Sequence, residues 1–180
     1  MRSVVLVAII LAGCSSADEN NLQAEIPFPQ NRPFFEKPKP ALHTAMVAFQ
    51  YLDFGEQTHR AELKKLTGVD PVRTEWCAAF VNAVLRDSGL IGSESVSKYP
   101  LTARSFLHWG KEVEEPQTGD IVVFSRGNVS WQGHVGFYFG TITVGKVKYY
   151  KILGGNQDNK VSIELYPAHR ALSIRREKSV

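Results

Sequence analysis

One cysteine and one histidine in this chain have settings suited to acyl-transfer chemistry. Cys77 lies in Glu75-Trp76-Cys77-Ala78-Ala79-Phe80. With Thr74 as N-cap, Cys77, Phe80, Val81, Val84 and Leu85 recur at helical spacing up to Gly89, which puts Cys77 in a first helical turn. The positive end of the backbone dipole there favours thiolate over thiol. A thiol attacking an acyl carbon also needs a base that later protonates the leaving amine. Among His43, His59, His108, His134 and His169, the best placed is His134, in Gly133-His134-Val135-Gly136-Phe137-Tyr138. Strand alternation there sets His134, Gly136 and Tyr138 on one face and Val135 and Phe137 on the other. Asn156, in Leu153-Gly154-Gly155-Asn156-Gln157, could accept the imidazole N–H and fix its tautomer. On the residues alone other readings stay open: Cys77 as a small buried hydrophobe, His134 as a hydrogen-bonded strand residue, Gly-Gly-Asn as a plain turn.

The elements that must hold these groups follow from periodicity. Helices are expected over Ala41–Phe54, Thr58–Thr67 (closed by Gly68), Thr74–Gly89 and Leu101–Trp109. After Pro116 the pattern turns to short β-branched and aromatic runs: Ile121–Phe124, His134–Phe139, Val147–Leu153, Val161–Tyr166 and Ala171–Ile174. Helices first and strands afterwards predict an α+β fold, its helices packed on a mostly antiparallel sheet of about five strands.

The chain's 180 residues, 43% hydrophobic and 22% charged, suit one globular domain with short extras. A net charge of +3 is too small to argue for nucleic acid. No metal site is expected, because the histidines lack ligand spacing and there is no His-Glu-x-x-His pattern, and the expected chemistry calls for no cofactor. Arg2, the apolar run Val4–Ala12 and Gly13 before Cys14 have the layout of an export signal, too short to span a bilayer at ~20 apolar residues. Leu11-Ala12-Gly13-Cys14 resembles the lipobox of bacterial lipoproteins, which implies lipidation at Cys14. Ser15 in place of Asp resembles lipoproteins sorted to the outer membrane, facing the periplasm. The expected organisation is a signal at 1–13, a proline-rich linker at 14–40 and a catalytic domain at 41–180.

The blocks around Cys77, Gly119-Asp120-Ile121-Val122-Val123-Phe124, the strand of His134 and Leu153–Gln157, in that order, resemble the CHAP branch of the NlpC-like, papain-related cysteine hydrolases. The resemblance covers about Ala41 to Ile174. It implies a papain-like fold, with Cys77 as nucleophile, His134 as base and Asn156 as orienting group. Many CHAP enzymes carry Glu near that last position, where this chain has Gly154 and Gly155. Asp120 reads as a turn residue opening a strand. The backbone N–H of Cys77 is the expected first oxyanion donor. Trp76, Trp131 and Tyr138, with Trp109, are the candidate substrate-binding aromatics. The function expected is a lipid-anchored envelope hydrolase of peptidoglycan amide bonds. The alternatives are a non-catalytic envelope-binding module, or a cysteine hydrolase or toxin acting on another amide substrate.

Overall fold

The computed structural model describes residues 40–178; Cys14 and the expected signal and linker residues before Pro40 lie outside them. Three α-helices come first: α1 (Pro40–Phe49), α2 (Arg60–Thr67) and α3 (Cys77–Asp87). α1 opens on a proline, whose missing N–H costs nothing at a helix start, and it gives way at Gln50 to turns rather than running on to Phe54. Gly68 ends α2 in the left-handed conformation, its N–H donating to Lys64 O, as the sequence predicts. The expected fourth helix is a 3₁₀ helix, Ala103–His108.

Six strands follow: β1 (Lys111–Glu112), β2 (Ile121–Ser125), β3 (Gly133–Val144), β4 (Val147–Gln157), β5 (Lys160–Pro167) and β6 (Ala171–Arg176). They form one sheet in the order β1-β6-β2-β3-β4-β5, with every pairing antiparallel. The architecture is therefore α+β, with the two-residue β1 added to the five strands expected. β2 to β5 run as a meander, and β6 returns to close the other side of β2.

Alternation along the strands divides the apolar side chains between two faces. Ile121, Val123, Val135, Phe137 and Leu153 pack against α3, which is buried from Cys77 to Leu85. Val122, Phe124, Tyr138, Ile152 and Ile174 form a smaller cluster on the opposite face, with Tyr150 and the half-buried Tyr166. Asp120 is the structural residue expected: buried at the start of β2, it accepts from Arg176 Nε at 2.8 Å and Nη2 at 2.7 Å and from the Gln117 N–H. The pair ties β6 to β2.

Candidate active site

α3 begins at Cys77 itself. Trp76 occupies the N-cap position without a side-chain hydrogen bond, so Thr74 is not the cap. The first-turn N–H groups of any helix lack intrahelical acceptors, and here no capping side chain takes them. The Cys77 side chain is 5% exposed. The backbone N–H groups of Val135 and Ala78 lie near enough to favour its charged form.

The Val135 contact follows from strand geometry. Tyr138 N–H donates across to Asp120 O, so the even-numbered amides of this part of β3 face β2 and the odd-numbered ones face the other way. On that other side the β3–β4 ladder begins only at Phe137, paired with Leu153. Val135 N–H therefore points into the opening between β3 and β4, where the start of α3 brings the thiol. Gly136 is required here. A Cβ on it would stand 2.5 Å from Ile152 Cγ2 and 2.9 Å from Leu153 O.

His134 is 2% exposed and its Nε2 lies 2.9 Å from Gln157 Oε1. The Gln157 amide has one orientation consistent with its surroundings, because its Nε2 donates to Ile152 O (3.2 Å) and Ser162 O (2.6 Å). The oxygen is thus left to the imidazole, His134 Nε2 carries the hydrogen, and Nδ1 is the unprotonated nitrogen. The residue expected in this role, Asn156, is not the one His134 meets. Asn156 sits at φ +58°, and its Nδ2 donates to Glu75 Oε2 at 2.7 Å.

A β-bulge accounts for the exchange. The β4–β5 register shifts between Gly154 and Gln157, so one residue is extra, and every later side chain changes face. By simple alternation Asn156 would share the face of Ile152 and Gly154; with the bulge that place goes to Gln157. The turn lies beyond, at Asp158 and Asn159, both at positive φ, and Gln157 pairs with Lys160 across it. Two turn-forming residues in Gln-Asp-Asn-Lys are the sequence signal of a two-residue hairpin loop that puts Gln157 inside the ladder.

Burial governs both reactive groups. It pushes the Cys77 thiol up, against the pull of the Val135 and Ala78 N–H groups and the Arg126 guanidinium. It brings His134 down to about 4, with the Gln157 hydrogen bond opposing and Arg126 adding to the drop. At Cys77 burial therefore outweighs the pull of the groups that favour thiolate. Arg126 lies 3.7 Å from Glu75 Oε2 on the rim.

A groove of about 540 Å³ opens beside the sulfur, lined among others by Glu75, Cys77, Leu101, Arg126, Trp131 and Gly133. Trp131 is 68% exposed there and free to meet a ligand. The other aromatic candidates are elsewhere. Trp76 is fully buried against Phe80, and Trp109 is buried with its indole N–H donating to Ile91 O. Tyr138 packs edge-on against Tyr150 on the opposite face of the sheet and bonds Thr141. Among the described residues no three His, Cys, Asp or Glu side chains are grouped to hold a metal ion.

Residues 69–156 match the family model for the CHAP domain. No curated protein matches the chain.

Proposed function

From a chain that carries a CHAP domain, we propose a cysteine hydrolase that cleaves amide bonds in peptidoglycan, with Cys77 as nucleophile, His134 as base and Gln157 as the group that orients the imidazole. CHAP domains are generally amidohydrolase or peptidase domains, and the peptidoglycan substrate follows from that family. The observation that carries the residue assignment is the Gln157–His134 hydrogen bond, because it leaves Nδ1 as the acceptor nitrogen on the strand whose next amide, that of Val135, favours the Cys77 thiolate.

Attack by a neutral thiol requires its proton to leave as the S–C bond forms. His134 Nδ1 takes that proton, and Gln157 Oε1 keeps hold of Nε2–H while the ring is charged. The amide oxygen, now an oxyanion, is received by the uncapped first-turn N–H of Cys77. The imidazolium then protonates the amine, the C–N bond breaks and a thioester remains. A water that loses its proton to His134 hydrolyses the thioester and restores the thiol. Exclusion of water by substrate in the groove strengthens each of these charge interactions.

Release of soluble fragments from dye-labelled sacculi tests the proposal. Cys77→Ala and His134→Ala each remove nearly all release, whereas His108→Ala, on an exposed position, changes little. Release undiminished in Cys77→Ala ends the assignment. The deep burial of Cys77 favours a second reading, an envelope-binding module with an inert core cysteine. That reading predicts sacculus binding without any release.

The Leu11-Ala12-Gly13-Cys14 motif supports export as a lipoprotein anchored through Cys14, at the outer membrane facing the periplasm. Labelled palmitate incorporated by the wild type and lost in Cys14→Ala is the expected result; label retained by Cys14→Ala refutes it.

A further inference from the structure

The His134 ring is held by a second group that the nucleophile, base and orienter do not include. The Tyr166 ring lies parallel to it, with centroids 5.0 Å apart and an interplanar angle of 9°. On Phe124 the same tyrosine stacks at 4.8 Å and 28°. Among the described residues, Trp76–Phe80 at 82° and Tyr138–Tyr150 at 81° meet edge to face, while Phe49–Phe139 and Phe54–His59 stack at 13° and 15°. Edge-to-face contact is a common way for neighbouring rings to fill a core. The Tyr166 stack differs from these pairs in joining three rings, one of them the proposed base.

Tyr166 also belongs to an ordered face of β5. Ser162, Glu164 and Tyr166 pair across to Gly154, Ile152 and Tyr150, and alternation puts them on the His134 side of the sheet. Ser162 O accepts from Gln157 Nε2, and Ser162 Oγ donates to Glu164 Oε1 at 3.1 Å. One strand face thus fixes the orienting amide at one end and the imidazole plane at the other. A hydrogen bond to Nε2 sets the ring's direction but leaves rotation about the N–H···O axis. A flat surface against the ring removes that freedom.

We propose that Tyr166 is a positioning residue of this site, which holds the His134 imidazole in the plane required for proton transfer by stacking on its face. The proposal rests on His134 being the base of the proposed reaction. Its basis is the ring face, with no role for the hydroxyl. The face of an aromatic ring also attracts cations, so the stack favours the imidazolium formed during turnover. Tyr166 is half-buried, which lets its side chain change without emptying the main core.

Two substitutions separate the ring from its hydroxyl. Tyr166→Phe keeps the stack and retains wild-type kcat. Tyr166→Leu lowers kcat by roughly 10- to 100-fold, the scale of a misplaced catalytic group, with KM little changed. Imidazole nitrogen-15 spectra give a readout independent of turnover. In the wild type and Tyr166→Phe the His134 ring shows a single Nε2–H tautomer and ring protons shifted upfield by the stacked aromatic. In Tyr166→Leu the upfield shift is lost and the ring protons broaden as the imidazole samples more than one plane about its hydrogen bond to Gln157. If Tyr166→Leu does not fold, the wild-type ring-proton shifts and their retention in Tyr166→Phe decide the matter. Wild-type kcat in a folded Tyr166→Leu overturns the proposal. So does a Phe variant as impaired as the Leu one, which would place the function in the hydroxyl. A wild type that shows the stacked, single-tautomer imidazole but cleaves no sacculi refutes the hydrolase reading and leaves the ring clamp standing.

Discussion

Gln157 fixes the tautomer of His134 through its own hydrogen bonds. Three of its four hydrogen-bonding capacities are committed, two to backbone carbonyls and one to the imidazole. A buried amide so fixed cannot flip without leaving polar groups unpaired, at about 1–3 kcal/mol for each. As a neutral partner it orients the imidazolium without the stabilisation a carboxylate would add. Gln157→Ala is therefore expected to lower kcat on sacculi by on the order of 10²-fold while the chain stays folded. Asn156→Gly removes the neighbouring amide but keeps the positive φ available, and it is expected to leave kcat near wild type. Steady-state rates on one sacculus preparation compare the two, and a larger loss in Asn156→Gly than in Gln157→Ala would show that the bulge residue is the orienter. Arg126 disfavours the imidazolium of His134 and favours the thiolate of Cys77.

At the scale of elements, the end of β4 decides which side chains face the site. Gly155 has α3 directly over it: a Cβ would stand 2.5 Å from Trp76 and 2.7 Å from Phe80 Cβ. At Gly154 a Cβ would lie 3.0 Å from Gln157 Oε1 and 3.3 Å from His134 Nε2. No side chain of any length fits at 155, which explains the lack of a carboxylate there in physical terms. Gly155→Ala is expected to destabilise the fold by about 1–3 kcal/mol through overpacking, read as a lower Tm. Gly154→Ala is expected to keep most of the stability and lose activity, because the group it disturbs is the His134–Gln157 hydrogen bond. The reverse order of effects would contradict this geometry. Much of this was legible in the sequence. The 3.6-residue rhythm after Trp76 marked α3 with Cys77 in its first turn, and the Gly-His-Val-Gly-Phe-Tyr alternation gave the correct faces of β3. What alternation cannot register is an inserted residue. The bulge at Asn156 breaks the period of two, so the side chain that reaches His134 is that of Gln157 and not that of Asn156. Trp76 was misread because its place beside Cys77 in the chain suggested the groove, whereas an N-cap position on a helix packed over Gly155 turns its indole into the core. Tyr166, 32 residues beyond His134, carried no local signal, since a ring–ring stack between nonadjacent strands depends on the closed sheet.

For the whole molecule, the buried site links folding to pH. His134 has a folded pKa of about 4, and an unfolded histidine has one near 6.5, so the unfolded chain binds the extra proton across that window. The contribution to stability is complete above about 6.5 and is lost as pH falls toward 4, with a slope of at most about 1.4 kcal/mol per pH unit. Denaturant midpoints for the wild type and His134→Gln across this range are expected to converge as the pH drops; parallel curves would mean that His134 is not buried in the neutral form. The proposed opening of peptidoglycan amide bonds by Cys77 is read most directly by mass spectrometry of fragments released from purified sacculi by the wild type and by Cys77→Ala. Wild-type protein is expected to release fragments that carry a new amine and a new carboxyl at one amide bond, and Cys77→Ala none. The same fragments from both proteins, or none from a folded wild type, would contradict the proposal.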